Sequence, residues 1–310
     1  MLEVGGGLFL GWSLGANDAA NVFGTAVAAR VIRFSTAAAI AGVAVVAGAC
    51  LEGGRGIETL SAVSNSGVAA AVITSVCAAV TVTVMTLLRL PVSTSQAVVG
   101  AIIGVAIVGG DPDFSGLPKI ITCWVATPFG AIVVACLSYS LLGVVMNRLR
   151  ISMLTRDRLL WGALVVVGAY AAYALGANNV ANVTGVYYRT GTFDSTTELA
   201  LIGGISIAAG VATYGRRVMT TIGADLVHLD AYAALIAIFA QGVTVHVFAK
   251  IGVPVSTSQA LVGGVIGVGF MRGARGIDRN VLKNIVLGWI LTPIAAGTLA
   301  GAVARIVPLG

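Results

Sequence analysis

The chain states one pattern twice. GANDAAN, beginning at Gly15, returns as GANNVAN at Gly176. VTV at Val80 returns at Val243, and PVSTSQA at Pro91 returns at Pro254. WVATP at Trp124 returns as WILTP at Trp289. The landmarks keep their order, and their offsets run only from 161 to 165 residues. Such self-similarity marks a duplicated structural unit. The first unit covers residues 1–150 and the second 159–310, with a short basic linker, 151–158, between them.

Each unit is built from apolar stretches. They fall at about 4–29, 35–51, 66–88, 91–110 and 117–147, then at 159–188, 199–214, 224–249, 254–271 and 281–307. A membrane crossing takes about 20 residues, so most of these reach across or nearly so. Only 10% of the residues are charged, 58% are hydrophobic and the mean hydropathy is +1.00. A soluble domain carries about 25% charged residues. This chain cannot cover a water-facing surface and reads as an all-α, multi-pass membrane protein. Its 41 glycines favour close helix packing through small residues. The apolar runs are continuous, not alternating, which argues against a β-barrel.

Five stretches per unit is an odd number, so the second unit must insert upside down relative to the first. The parity survives if the third and fourth stretches form a re-entrant pair. The expected fold is therefore an inverted-topology repeat with broken or re-entrant helices, an architecture of secondary transporters. Charge agrees. With the linker in the cytoplasm, thirteen basic residues lie inside, including Arg148, Arg156, Arg158, Arg216 and Arg217. Five lie outside: Arg55, Lys119, Arg189, Lys250 and Arg305. This bias places both termini outside a plasma membrane.

The net charge of +6 is scattered through short loops, so it speaks of orientation and not of nucleic acid. Cys50, Cys77, Cys123 and Cys136 have no CxxC spacing and read as small core residues. Glu3 and the lack of a basic leader argue that the first apolar run stays in the mature protein.

The polar motifs interrupt this apolar background. Asp18 lies inside the first stretch with Gly15, Asn17, Asn21, Gly24 and Thr25 around it. An acid at membrane depth costs several kcal/mol and needs a partner. Amide residues often only glue membrane helices together, but a duplicated copy with Asn178, Asn179 and Asn182 points to a site. The glycines here are expected to let the helix unwind. In the second motif, Pro91 suits the first turn of a helix. Ser93, Thr94, Ser95 and Gln96 then decorate that turn, as Ser256, Thr257, Ser258 and Gln259 do in the repeat. Capping explains one hydroxyl, not three and an amide, twice.

Hydroxyls, amides and helix N-termini suit a tetrahedral oxyanion. Neither motif holds Lys or Arg, and Asp18 would repel an anion. A cation, Na⁺ or H⁺, is therefore required beside it, because an isolated buried charge is very costly. In this reading Asp18, Asn21, Asn179 and Asn182 form the cation side, with Asp18 the Na⁺ ligand if sodium is the ion. Asn17, Asn21, Asn178, Asn182 and the two Ser-Thr-Ser-Gln turns form the substrate side.

GANDAANVFGT and PVSTSQ, each duplicated, resemble the inorganic phosphate transporter (PiT) family of cation-coupled symporters. The resemblance covers nearly the whole chain. It implies inorganic phosphate as substrate, co-transported Na⁺ or H⁺, no enzymatic cofactor and often a homodimer. The chain departs from the family at three places. Asn179 stands where a second aspartate is usual, Gln96 and Gln259 stand where His is frequent, and Ser75 and Ile238 stand near positions that often hold glutamate. One carboxylate instead of several fits fewer coupled cations, or another oxyanion such as sulfate.

Other polar residues carry weaker signals. Asp225, His228 and Asp230 read as a solvated acidic first turn, with a proton relay as the alternative. His246 reads as a packed, hydrogen-bonded residue. Thr127 before Pro128 and Thr292 before Pro293 read as kinks where a hydroxyl serves freed backbone. Proteolysis is excluded because Asn179 denies an aspartate pair and no Ser–His motif is present; a passive anion channel of the same fold stays open.

Overall fold

The computed structural model describes residues 4–64, 67–88, 92–110, 114–149, 151–193, 195–219, 230–273 and 279–309. Those residues form helices and no strand. The first half runs α1 (Gly5–Ala28), α2 (Phe34–Glu52), α3 (Gly54–Ala62), α4 (Val68–Leu87), α5 (Thr94–Gly109) and α6 (Leu117–Arg148). The second runs α7 (Met153–Thr184), a 3₁₀ turn (Gly185–Thr190), α8 (Thr196–Thr213), α9 (215–219), α10 (Ala231–Ile251), α11 (Thr257–Met271) and α12 (Arg279–Ala304). Among the described residues seven helical runs are long and apolar enough to cross a membrane.

The halves interlock. α1 packs on α8 and α7 on α2; α5 packs on α12 and α11 on α6. Each contact is the repeat image of the other, as a two-fold inverted arrangement requires. Glycine makes these approaches possible. A Cβ on Gly15 would sit 2.0 Å from the Ile207 carbonyl oxygen, and one on Gly176 would sit 2.0 Å from that of Val45. Gly100 and Gly263 bring α5 and α11 equally close to the carbonyls of Pro293 and Pro128, at 2.3 Å each. Outside the α5–α12 seam runs an apolar groove of about 540 Å³, edged by Arg305, whose lining includes no residue of either polar motif.

The third stretch of each half, α4 or α10, is long enough to span, whereas the fourth is a short helix. α5 has 16 residues and α11 has 15, about 24 Å of helix at 1.5 Å per residue, short of a hydrocarbon core of about 30 Å. Their N-terminal ends meet inside the bundle, where Ser95 donates to the Val255 carbonyl at 3.1 Å.

One expectation changes. The GANDAAN and GANNVAN segments do not unwind: both lie in unbroken α-helix within α1 and α7. Their glycines serve helix contact instead. Residues 153–158 of the linker are the first turns of α7, capped by Ser152 accepting from the Thr155 N–H at 3.2 Å. The connection after α2 contains α3, which buries Ile57 and Leu60 and exposes Arg55 and Glu58.

Pro128 and Pro293 lie inside α6 and α12, and the threonines before them do not bond the carbonyls that the prolines free, those of Trp124 and Trp289. Thr127 donates to the Cys123 carbonyl at 2.7 Å and Thr292 to that of Gly288 at 2.6 Å, one turn back in each case. All four cysteines are free, Cys77 buried and the others half-buried. Asp230 caps α10, accepting from the Ala233 N–H at 2.8 Å. Asp225, His228 and Pro91 lie outside the described residues.

Candidate functional site

Helix periodicity sets the site. In α1, Asp18 and Asn21 are three residues apart and share a face. Asn21 Nδ2 donates to Asp18 Oδ1 at 3.2 Å, and Asn17 Nδ2 donates to the same oxygen at 3.1 Å. In α7 the repeat image holds: Asn182 Nδ2 donates to Asn179 Oδ1 at 3.0 Å. All five side chains are buried.

Each amide face meets the serine-rich turn of the opposite half. Asn21 donates to Ser258 Oγ at 3.3 Å, and Asn182 donates to Ser95 Oγ at 2.9 Å. Thr257 adds a 2.8 Å bond to Asp18 Oδ2. Thus the GANDAAN segment of the first half joins the PVSTSQ turn of the second, and the reverse. Asp18 touches the second turn directly; the first turn is reached by Asn182.

Some candidate residues are occupied by architecture. Ser93 and Ser256 are N-caps, accepting from the N–H groups of Gln96 and Gln259 at 3.4 and 3.3 Å. Ordinary capping therefore accounts for the first serine of each turn. It leaves the N–H groups of the first helical residues, Thr94 and Ser95 or Thr257 and Ser258, without intrahelical acceptors. Asn178 uses both ends of its amide on backbone, donating to the Val253 carbonyl at 3.0 Å and accepting from the Val255 N–H at 2.8 Å. It clamps the chain that leads into α11. Asn17 Oδ1 accepts from Thr86, at 3.3 Å.

Other groups have nothing to bond. Thr94 Oγ1, Gln96 Oε1, Asn179 Nδ2, Asn182 Oδ1 and Gln259 Oε1 are buried without a protein partner. Buried polar groups are normally paired, so these orphans suit a polar ligand. They include donors and acceptors: the donors suit an oxyanion, and the amide oxygens suit a cation or a protonated oxygen. Most belong to the half that lacks the carboxylate. Among the described motif residues, Ser258 alone is only half-buried.

Sequence reading missed several participants. Thr86 and the backbone of Val253 and Val255 carry no sequence signal. Gln241 does: it is a lone amide on apolar α10, and its Oε1, like Thr244 Oγ1, is buried without a partner.

Comparison with known proteins follows the same lines. The model of the phosphate transporter family matches residues 14–162 and again 152–300. A candidate phosphate permease of Methanocaldococcus jannaschii is 30% identical over 288 residues, 93% of this chain and 91% of that one. A sulfate permease of Bacillus subtilis is 27% identical over 92% of this chain and 82% of its own. A solved structure, the sodium-dependent phosphate transporter, superposes with a TM-score of 0.88 over 98% of both chains at 23% identity.

Proposed function

Because the chain belongs to the phosphate transporter family, we propose that it imports inorganic phosphate as a cation-coupled secondary transporter working by alternating access. One observation carries this reading. Two inverted half-sites, Asp18–Asn21 against Thr257–Ser258 and Asn179–Asn182 against Ser95, meet inside the bundle with unpaired polar atoms beside them.

The roles follow from charge. Asp18 with Asn21 binds the coupling cation, Na⁺ or H⁺; Asn179 and Asn182 offer only amide oxygens to a second. The helix ends at Thr94–Gln96 and Thr257–Gln259 hold the anion by hydroxyl, amide and N–H donors, aided by the helix dipole. Without Lys or Arg in the motifs, the cation offsets the repulsion between Asp18 and the anion. The short helices α5 and α11, whose N-terminal ends meet from the two halves, support alternating access. Two ion pairs mark the two faces of the bundle. Asp230 with Arg272 joins the start of α10 to the end of α11, and Glu52 with Lys250 joins the ends of α2 and α10 on the other side.

Sulfate is the second reading. The B. subtilis relative is named for sulfate, and a single carboxylate suits fewer cations per anion. Radiolabelled phosphate uptake into proteoliposomes, with sulfate as competitor and with Na⁺ and pH gradients imposed separately, tests both. Accumulation against the phosphate gradient supports the symporter. Mere equilibration points to a channel, and sulfate accumulation to the second reading.

A further inference from the structure

A second polar cluster lies apart from these motifs. His246, on α10, stands between two partners: its Nε2 is 2.7 Å from Glu52 Oε2 and its Nδ1 is 2.9 Å from the Tyr170 hydroxyl. Lys250 Nζ meets the other Glu52 oxygen at 2.8 Å, and the Tyr173 hydroxyl also bonds that carboxylate. The rings of Tyr170 and Tyr173 flank the imidazole at 5.6 and 5.7 Å between centroids. Glu52 and His246 are only about one-fifth exposed, at 19% and 22%. The cluster ties together the end of α2, the middle of α7 and the last turns of α10.

We propose that His246 is a proton-binding site, distinct from Asp18, whose occupancy sets the strength of this α2–α7–α10 junction and so makes transport depend on external pH. The inference rests on the transport function proposed above. The chemistry is local. A carboxylate only accepts, so the neutral imidazole donates from Nε2 to Glu52 and accepts at Nδ1 from Tyr170. A proton added at Nδ1 makes both nitrogens donors. The Tyr170 hydroxyl turns from donor to acceptor by rotating, and no heavy atom has to move. The His246–Glu52 hydrogen bond becomes an ion pair, the stronger kind. The junction is therefore tighter at low pH and looser as pH rises. Histidine is the side chain whose ordinary charge change falls between pH 5 and 8.

The neighbours are few. Glu52 comes from α2, Arg55 and Glu58 from α3, Tyr170 and Tyr173 from α7, and Lys250 from α10 itself. Arg55 lies over Gly252 and donates to the Lys250 carbonyl at 3.0 Å. α11 carries no titratable residue, α6 presents Gly130 to Thr244, and α1, which barely touches α10, carries Asp18. The consequence reaches the site through the chain that follows α10. Gly252 turns with φ +79°, a left-handed conformation that suits glycine. The next residues, Val253 and Val255, are clamped by Asn178, immediately before Asn179. A junction that holds α10 against α7 holds the second Ser-Thr-Ser turn in the arrangement seen here. Protonation favours whichever state keeps the contact, by its differential affinity.

The test has two arms. The chain has only two histidines, so ring-labelled protein in detergent gives two imidazole signals by NMR, and His246→Gln identifies one. The His246 signal should respond to pH in the wild type, and that response should differ in Glu52→Gln. In proteoliposomes at fixed cation gradient and potential, uptake should fall at least threefold between external pH 7.5 and 5.5. His246→Gln should cut that fall to the part due to the titration of phosphate itself, matched by Tyr170→Phe in direction. A His246 ring whose response to pH is the same in Glu52→Gln overturns the site, as does a pH profile unchanged in His246→Gln. If the wild type moves no phosphate at any pH, the transport reading fails instead, and the NMR arm still decides the proton site.

Discussion

Thr257 hydrogen-bonds Asp18 at 2.8 Å, whereas Thr94, its repeat image, has no partner although it belongs to the turn that faces Asn179. The backbone symmetry is intact, and the chemistry is not. Asp18 collects three side-chain donors, from Asn17, Asn21 and Thr257; exchanging a carboxylate for an amide leaves the other half-site with orphans.

Replacing Asp18 by Asn should remove cation-driven accumulation by about two orders of magnitude, with little loss of thermal stability, because a buried charge is itself costly. Thr257→Val removes a bond to a charged group, of about 1.5–3 kcal/mol. With Na⁺ as the coupling ion and the Thr257 oxygen among its ligands, it should raise the half-saturating Na⁺ concentration about tenfold or more. Gradient-driven uptake by Asp18→Asn at the wild-type rate would end the proposed role.

Asn179→Asp should give the second half-site a carboxylate for Thr94 to bond. The dependence of uptake on cation concentration should steepen, read as a Hill slope higher than that of the wild type. An unchanged slope means that the acid deficit does not set the cation count.

Gly15→Ala and Gly176→Ala place a methyl 2.0 Å from rigid carbonyls of Ile207 and Val45. Each should cost about 2 kcal/mol or more, read as a lower unfolding midpoint or a loss of folded yield. Gly162, on α7, has nothing within 4 Å of its Cβ position. Gly162→Ala should be neutral or stabilising by about 0.5–1 kcal/mol.

Asp230 lies outside the spans. Burial works against its charge, but the Ala233 N–H and Arg272 hold its carboxyl below the usual aspartate range. A depressed acid contributes stability above its ordinary, unfolded-state range and loses it as pH falls through the folded value. Acid unfolding of the wild type below that range should therefore be less pronounced in Asp230→Asn, which starts from a lower midpoint at neutral pH. Parallel acid limbs in the two proteins would show that this pair contributes nothing.

The repeat, the membrane class and the inverted topology are legible in the sequence because they depend on long-period pattern and on parity. So are Asp18, Asn21, Asn182 and the two turns, since a polar cluster inside an apolar run has few places to go. The unwinding inferred from Gly15 and Gly176 is a local reading of a residue whose purpose is distant. Each glycine serves a helix of the other half, α8 or α2, which no local pattern reveals.

Sequence alone determined that this chain folds in a membrane as two inverted halves, because hydropathy and repeat order are one-dimensional properties. Only tertiary structure decided which polar groups are already spent. Ser93, Ser256 and Asn178 serve caps and backbone, while Thr94, Gln96 and Gln259 keep unpaired atoms, because a hydrogen bond is satisfied by a neighbour in space. The same holds for His246, whose partners Glu52 and Tyr170 lie 194 and 76 residues away along the chain.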